Sequence, residues 1–393
     1  MDNTSKQQRP ANAWPFGVYG GVALCFAVVG LMISIYLAIS HYRVYTDISY
    51  ESFCALTKAL NCDTVSQSRY AVFGSIPVAI WGVWGYVFLV VVLMPALRGG
   101  PKRLRLWSFV FFITACFSLG SIALAAISTF IIHSYCIMCV ATYAVNFGLL
   151  YTIWIIIARF NGGRLLSSLK DDLLYLKENK RWSILIAATA ILVLGAVHQF
   201  IPRYWQLPPP THTAVLPSGI TAEGHPWIGA ENPVLVITVF SDYQCFQCRK
   251  MHYHLRHLIE KHRDKIQLVH RHYPMDHEFN PIVKEVMHLG SGKLALMAIG
   301  AAKTGRFWPV NDILFAMIGQ KKQVNYKRVA ALAGVSADVF KDAFSDPEIR
   351  VHLDRDIIDG IKLKISGTPT FVINDQVFFG QIPPDVISKA LLP

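Results

Sequence analysis

Five long apolar runs constrain this chain more than any other feature. They cover approximately residues 14–40, 76–97, 106–132, 135–158 and 183–201. A helix of about 20 apolar residues crosses the roughly 30 Å hydrocarbon core of a bilayer. The first run is too long for the apolar part of a cleavable signal peptide, so we interpret it as a retained helix. We therefore predict a five-helix transmembrane bundle within residues 1–202, embedded in a lipid bilayer.

Composition supports a membrane part joined to a soluble part. The chain has 393 residues, of which 53% are hydrophobic and 16% are charged, and its formal net charge is +12. Much of this positive charge lies in short segments beside the apolar runs. Basic residues in that position indicate membrane orientation before they indicate nucleic acid, so no nucleic-acid partner is expected.

The basic segments predict which side of the membrane each loop faces. They are residues 1–13, 98–105 and 159–182. By the positive-inside rule these three segments lie in the cytoplasm. Five spans then place the segment 41–75, the turn at 133–134 and the C-terminal part outside. The expected location is the inner (plasma) membrane, with a cytoplasmic N-terminus and a periplasmic or otherwise extracytoplasmic C-terminal domain.

Cysteines supply the second strong signal. Six of the eight form close pairs, which are Cys54/Cys62, Cys136/Cys139 and Cys245/Cys248. In the predicted topology all three pairs lie outside, where disulfides persist. The pair Cys136/Cys139 begins an apolar run at the membrane surface, where it can meet both a water-borne thiol and a lipid-soluble electron carrier. Cys25 and Cys116 stand alone in apolar runs and are interpreted as packing residues.

The C-terminal part has the element order of a thioredoxin domain. Residues 203–230 are predicted to form a Pro-rich, semi-rigid linker that includes Pro208-Pro209-Pro210. Residues 231–393 form the predicted α/β domain. Its strands are expected at 234–240, 266–272, 371–374 and 377–379, with a helical insertion across 279–360. The C-x-x-C of Cys245 and Cys248 follows the first strand, and Thr368-Pro369 precedes the last ones.

This arrangement is similar to oxidoreductases of the DsbA type. The resemblance implies that Pro369 is a cis-proline beside the C-x-x-C, where it helps to bind a substrate chain. Cys245 lies at a helix N-terminus, where the helix dipole stabilises a thiolate, so Cys245 is the expected nucleophile and Cys248 the resolving thiol. A zinc half-site would need a second cysteine pair within reach, so no metal is predicted here.

The membrane part resembles the vitamin K epoxide reductase family. The resemblance rests on Cys62-Asp63-Thr64-Val65, Ser68, Gly74-Ser75-Ile76-Pro77-Val78, Trp81-Gly82, and Cys136-x-x-Cys139 with Tyr143. It implies a four-helix bundle around a ubiquinone, menaquinone or phylloquinone-like quinone, with a linking fifth helix and a fused thioredoxin-like domain. It also implies that Cys54 and Cys62 act as a shuttle and that Cys139 lies nearest the quinone.

Two further residues are candidates for the quinone site. Tyr143 lies one helical turn after Cys139 on the same face, so it could reach the same ligand. An interfacial aromatic residue is the alternative for Tyr143. Ser68 lies near the cysteines by the same resemblance, and its alternative is a capping or loop hydroxyl.

Other polar residues carry weaker signals. The helix after Cys248 is rich in histidine, which we interpret as a solvated face rather than a metal site; the residues are His252, His254, His257 and His262. His133 precedes the membrane dithiol and is interpreted as an interfacial residue. The sequence leaves open whether Asp63 stabilises the loop or affects thiolate charge.

These patterns predict a membrane thiol–disulfide oxidoreductase that makes disulfides in extracytoplasmic proteins. Electrons from reduced substrate proteins would pass through Cys245/Cys248, Cys54/Cys62 and Cys136/Cys139 to the membrane quinone pool. A disulfide isomerase is one alternative, because Phe246-Gln247 lacks the histidine found in strongly oxidising DsbA proteins. An inward electron importer is another, although it would need a cytoplasmic reductant. The particular quinone, the substrate proteins, the redox potential and the oligomeric state stay open.

Overall fold

The computed structural model describes residues 14–48, 50, 52–54, 60–100, 105–160, 165–200, 203–207, 209, 216–284, 286–319 and 324–391. Several residues used in the topology and linker predictions lie outside these ranges; they are Lys6, Arg9, Lys102, Arg103, Arg164, Pro202, Pro208 and Pro210. The chain divides near residue 203 into two compact units. One contains the apolar runs and the other contains the predicted thioredoxin domain, and each is described by itself.

In the membrane unit, the described residues include four helical segments long and apolar enough to cross a membrane. They are α1 (Phe16–Thr46), α3 (Val78–Arg98), α4 (Trp107–Ile127, continued by a π-helical turn over Ser128–Ile132) and α5 (Ile137–Phe160). A short helix, α2 (Cys62–Gln67), and a two-residue hairpin of β1 (Val72–Phe73) and β2 (Ile76–Pro77) lie between the first two segments. The four-helix part of the prediction is confirmed.

The fifth apolar run is also helical. Helix α7 covers Lys180–Phe200, but its side chains at 192–194 and 196–200 are not among those described. Its role as a fifth span therefore stays a prediction. The basic loop before it contains an amphipathic helix, α6 (Leu165–Glu178), which hydrophobic runs alone did not indicate.

Helix α6 is anchored to the start of α4 through a buried carboxylate. Asp172 accepts hydrogen bonds from the backbone N–H groups of Leu106, Ser108 and Phe109. The first N–H groups of a helix have no partners within it, so an acceptor at this position satisfies them. Burial raises the pKa of Asp172, although the three N–H groups oppose that effect.

Helix α1 packs against α3 and α5, and α4 packs against α5. Gly30 of α1 permits a close approach to α3, because a Cβ at Gly30 would overlap the ring of Tyr86. Small residues allow membrane helices to pack at such short distances. The core of this unit is apolar around Tyr86, Leu89 and Leu149.

The soluble unit contains one six-stranded sheet with the order β3-β4-β6-β5-β7-β8. The strands are β3 (Ser218–Ile220), β4 (Pro226–Gly229), β5 (Leu235–Ser241), β6 (Ile266–His272), β7 (Thr370–Ile373) and β8 (Gln376–Phe379). Only β5 and β6 pair in parallel. The first two strands lie within residues 203–230, which we had placed in the linker. Both strands are short, and β4 begins at a proline, so their sequence signal is weak.

Helices complete the soluble unit. They are α8 (Phe246–Lys261), α9 (Ser291–Ala302), α10 (Phe307–Gly319), α11 (Tyr326–Ala333), α12 (Ala337–Ala343), α13 (Pro347–Lys362) and α14 (Pro384–Leu391). Helices α9 to α13 form the predicted insertion between β6 and β7. The thioredoxin-type α/β architecture with a helical insertion is confirmed.

Candidate functional site

Backbone hydrogen bonds bring Cys62 beside Cys136 in the membrane unit. Leu60 forms a parallel bridge with Tyr135, and the N–H of Asn61 donates to the carbonyl of Tyr135 over 3.0 Å. The Asn61 side chain then caps α2 by accepting from the N–H groups of Asp63 and Thr64. Cys62 is the first residue of that helix. The backbone bonds to Tyr135 and the cap of α2 therefore hold Cys62 close to Cys136, the residue that precedes α5.

The result is a buried group of three sulfurs. Cys54 and Cys62 form a disulfide, and the Sγ atoms of Cys54, Cys62 and Cys136 lie within 4.8 Å of one another. All three residues are buried, and Leu37, Val65, Met138 and Cys139 pack around them. A thiol this close to a disulfide needs only a small displacement to attack it.

The structure also assigns a local role to Asp63, which the sequence had left open. Its Oδ2 accepts a hydrogen bond from the N–H of Ser52 over 3.1 Å. The hydroxyl oxygen of Ser52 lies 3.6 Å from Sγ of Cys54. Asp63 therefore ties the segment that carries Cys54 to the helix that carries Cys62.

Beside this group lies a cavity of about 370 Å³, mostly apolar in its lining. Its polar lining residues include Ser68, Cys139 and Tyr143, so the structure brings these predicted residues together. Ligand sites of 300–1,000 Å³ with few polar groups are typical for small molecules. The Ser68 side chain makes no capping hydrogen bond, and its buried hydroxyl has no partner. These observations favour a ligand-facing Ser68 over a capping one.

Three further residues line this cavity. Asn146 and His41 were not identified from the sequence, and Cys116 was interpreted there as a packing residue. Asn146 lies seven residues after Cys139 on α5; it accepts from the Tyr86 hydroxyl over 2.6 Å and donates to Ser121 over 2.9 Å. His41, near the end of α1, is buried and lines the same cavity. Polar residues inside apolar helices were the available signal for both. Cys116 also lines the cavity and is exposed in this unit, which is inconsistent with a packing role within the protein core.

In the soluble unit, Cys245 caps α8 as expected for a nucleophilic cysteine. Its Sγ accepts a hydrogen bond from the N–H of Cys248 over 3.2 Å, and its thiol lies 3.3 Å from the carbonyl of Thr368. The Thr368–Pro369 bond is cis. The strand β7 thus places Pro369 beside the dithiol, in the arrangement that the resemblance implied.

A histidine from another segment supplies positive charge to this dithiol. The Nδ1 atom of His288 lies 2.9 Å from Oδ2 of Asp242, three residues before Cys245. Asp242 is buried and also accepts from the N–H groups of Gln244 and Met275. The Gln244 side chain donates to the carbonyl of Leu289, which fixes the His288 segment against the dithiol turn. Sequence reasoning considered only Phe246-Gln247, so it missed this residue.

The protonation states follow from these contacts. Burial lowers the pKa of His288, but Asp242 and Cys245 outweigh that effect and raise the pKa to about 9. Burial raises the pKa of Cys245, but the Cys248 thiol and the His288 cation outweigh it, so the pKa of Cys245 is lowered overall. Burial and the neighbouring Cys245 hold the pKa of Cys248 well above its ordinary value. Cys245 is therefore the thiolate of the pair.

The histidine-rich helix does not form one solvated face. His257 is exposed, whereas His252 is buried and lies 2.6 Å from a carboxylate oxygen of Asp312. Our interpretation is wrong for His252, because its position on α8 faces the insertion helix α10. His133 is exposed and adopts a left-handed backbone conformation between α4 and α5.

Comparisons with known proteins identify both units. The vitamin K epoxide reductase family model matches residues 22–154, and a thioredoxin family model matches residues 221–392. Vitamin K epoxide reductase complex subunit 1 of Rattus norvegicus is 30% identical over 142 residues, which are 33% of this chain and 83% of that protein.

Two other similarities involve only part of a chain. The Na⁺/H⁺ antiporter NhaA 3 of Salinispora tropica is 25% identical over 162 residues, 41% of this chain and 23% of the antiporter. The chain therefore spans less than a quarter of that relative. A thioredoxin-like oxidoreductase from Silicibacter pomeroyi is 22% identical, with a TM-score of 0.36, over 44% of this chain and 91% of that structure. A TM-score of this size carries no argument about function.

The chain therefore combines a helical membrane bundle with paired cysteines and a thioredoxin-like domain with its own C-x-x-C. The chain belongs to the vitamin K epoxide reductase family.

Proposed function

We propose that this protein oxidises thiols of extracytoplasmic proteins and transfers their electrons to a membrane quinone. The observation that carries this proposal is the buried group of Cys54, Cys62 and Cys136, whose sulfurs lie within 4.8 Å of one another. A disulfide in contact with the thiol of a second pair supports transfer of a disulfide between the two pairs. The arrangement is that of a relay rather than of a single redox centre.

Electrons enter at the soluble dithiol. The Cys245–Cys248 disulfide accepts a substrate thiolate, which forms a mixed disulfide, and a second substrate thiolate then releases the oxidised product. The reduced pair is reoxidised by the Cys54–Cys62 disulfide: the Cys245 thiolate attacks Cys54, and Cys248 resolves the mixed disulfide. The low pKa of Cys245 supports its role as attacking sulfur and as a good leaving group.

Within the membrane unit, Cys62 and Cys136 carry the next exchange. Reduced Cys62 attacks the Cys136–Cys139 disulfide at Cys136, and Cys54 then closes the loop disulfide and leaves Cys136 and Cys139 reduced. Each exchange moves two electrons and leaves the number of disulfides unchanged. Reoxidation of Cys136 and Cys139 releases two electrons and two protons.

The cavity beside Cys139 fits the acceptor of those electrons. It is largely apolar, it has the volume of a small-molecule site, and the hydroxyls of Ser68 and Tyr143 line it together with Cys139. A quinone supplies two-electron, two-proton acceptance in a form soluble in lipid. Ser68 and Tyr143 would orient its carbonyl oxygens, and Cys139 would deliver the electrons.

The direction of the reaction rests on the charge of the loops. The segments 1–13, 98–105 and 159–182 are basic, so we place them in the cytoplasm and all three cysteine pairs outside. The substrates would be reduced proteins of that compartment. Cysteine-accessibility labelling that found the C-terminal domain in the cytoplasm would overturn this orientation.

The central test is quinone-dependent thiol oxidation by the purified protein. The full chain in detergent is mixed anaerobically with a reduced dithiol peptide and a short-tailed ubiquinone or menaquinone. We expect one quinol formed per disulfide made, over many turnovers. Cys25→Ser is the matched control, because Cys25 belongs to no pair, and it should keep full activity. Peptide oxidation that stops after the stored disulfides are used, with either quinone, would contradict the proposal.

A further inference from the structure

A second group of ligand-type side chains lies in the soluble unit and contains no cysteine. His225 lies in the turn between β3 and β4, whereas His352 and Asp356 lie one turn apart on α13. One ligand atom from each of the three residues lies within 4.8 Å of the other two. Asp356 is fully buried, His225 is nearly so, and His352 is half-buried. None of the three takes part in the electron relay proposed above.

The separation of His225 and Asp356 fits two ligands of one metal ion better than it fits a hydrogen bond. Nδ1 of His225 lies 3.4 Å from Oδ1 of Asp356, yet this buried nitrogen makes no hydrogen bond. Ligand atoms of a tetrahedral zinc site are about 3.4 Å apart, because each bond is about 2.0–2.1 Å long. The two imidazole rings have centroids 5.6 Å apart and an interplanar angle of 78°, so they do not stack on each other.

The carboxylate is already oriented by neighbouring groups. Nε of Arg271 donates to Oδ1 of Asp356 over 2.8 Å, and the N–H of His272 donates to Oδ2 over 2.9 Å. Arg271 also pairs with Asp359 over 2.8 Å. Hydrogen bonds of this kind fix the ligands of protein metal sites. Each oxygen of Asp356 keeps a second lone pair for a metal ion.

The charges around this group balance one another. Asp356 and Asp359 are offset by Arg271 and by Lys362, which pairs with Asp359 over 3.1 Å. A metal ion would therefore be held by coordination to the three side chains rather than by an excess of negative charge.

We propose that His225, His352 and Asp356 form a binding site for a divalent transition-metal ion, with Zn²⁺ as the best fit. Two imidazoles and one carboxylate match the ligands that zinc prefers, and they leave one position for water. The ion would join the β3–β4 turn to α13, the last helix of the insertion. It would stabilise the soluble domain in every redox state, because its ligands are not thiols.

Titration of the full chain with zinc tests this site. The protein in detergent is first oxidised, and its remaining free thiols are alkylated, so that no cysteine can bind the metal. Isothermal calorimetry with ZnCl₂ alone should then show one bound ion per chain. His225→Gln and His352→Gln should each weaken binding by roughly 10–100-fold. His257→Gln, which removes an exposed histidine elsewhere, should leave the affinity unchanged.

Two further measurements keep the test decisive if one variant folds poorly. Co²⁺ added to the oxidised and alkylated chain should give the strong visible absorption of a four-coordinate site, and excess Zn²⁺ should remove it. Zn²⁺ should also raise the melting temperature of this oxidised and alkylated chain but not that of either site variant treated in the same way. The proposal would be overturned if the parent chain bound no zinc, or if both site variants bound zinc as tightly as the parent chain does. The three residues Arg271, Asp356 and His225 would then form only a charge network.

Discussion

The same four-residue motif occurs in both units, and its backbone geometry is nearly the same in each. The N–H of Cys139 lies 3.4 Å from Sγ of Cys136, and the N–H of Cys248 lies 3.2 Å from Sγ of Cys245. In each case the first cysteine precedes a helix whose N-terminal N–H groups face its sulfur. A C-x-x-C at a helix N-terminus therefore accounts for what the two sites share.

Their surroundings account for the difference. Cys245 lies beside a protonated histidine, a buried carboxylate and the carbonyl of Thr368, all from segments other than its helix. Cys136 lies instead among the sulfurs of Cys54 and Cys62, and Cys139 faces a mainly apolar cavity. In the proposed function, the soluble pair would exchange with changing protein partners. The membrane pair would exchange with one fixed disulfide and one lipid-soluble acceptor.

The largest effect on this difference between the two pairs is expected from Cys139→Ser. Quinone reduction should fall by at least about 10³-fold, because one serine hydroxyl cannot replace the thiolate that delivers electrons. The Cys245–Cys248 disulfide should still oxidise one equivalent of a dithiol peptide, which stopped-flow measurement would show as a single burst. Cys116→Ser removes an unpaired sulfur from the same cavity and should keep most turnover. Continued quinone reduction in Cys139→Ser would refute the role of Cys139.

The second prediction concerns disulfide exchange between the soluble dithiol and the pair Cys54/Cys62. In Cys248→Ser with Cys62→Ser, both resolving thiols are absent, so a Cys245–Cys54 disulfide formed with added diamide, which accepts the two electrons of the two thiols, should accumulate in most molecules. A tethered domain acts at an effective concentration on the order of mM. After proteolysis between the units, the halves should stay joined on a non-reducing gel. A crosslink to Cys62 in the Cys54→Ser background, with none to Cys54, would reverse the assignment.

The third prediction removes the charge that distinguishes the soluble pair. His288→Gln should raise the pKa of Cys245, because the cation that favours its thiolate is lost. At pH 6 we expect roughly tenfold slower alkylation of Cys245, with the difference shrinking as the pH rises and both proteins become thiolates. Thiolate absorbance near 240 nm, measured against pH, gives the same comparison. An unchanged pH profile, or an equal shift in His257→Gln, would show that His288 has only a structural role.

The smallest expected effect is that of Tyr143→Phe. Loss of one hydroxyl from the cavity should raise the KM for quinone by about three- to tenfold, the size of one hydrogen bond. Exchange between Cys245/Cys248 and a peptide should not change. Tyr151→Phe, two turns further along α5 and exposed, is the matched control. An effect on peptide exchange rather than on the KM would remove Tyr143 from the quinone site.

Local patterns predicted the framework of both units well. Hydropathy predicted α1, α3, α4 and α5 to within a few residues at most boundaries, because each helix must bury a continuous apolar length in lipid. The strand β6 was predicted with its observed bounds, 266–272. The six paired cysteines were also evident, since their spacing is a sequence property.

What the sequence did not reveal depends on contacts between distant segments. His288 approaches Cys245 only through a hydrogen bond to Asp242, 46 residues away along the chain. Asn146 and His41 become cavity residues only when α1, α3, α4 and α5 pack together. The strands β3 and β4 are short; β3 becomes a strand by pairing with β4, and β4 by pairing with the distant β6, which no local pattern specifies.

The backbone bridge between Leu60 and Tyr135 has a consequence for the speed of the relay. It attaches Cys62 to the same rigid framework as Cys136, whereas Cys54 is attached to that framework through the side chain of Asp63. When the loop disulfide opens, Cys62 keeps its place and Cys54 is the sulfur that can turn outward. In the proposed relay, the inner exchange would therefore begin with its reactants already in position, with little reorganisation of the protein. Electron flow would then be limited by the arrival of the outer partner, and the membrane unit would wait in a state ready to react.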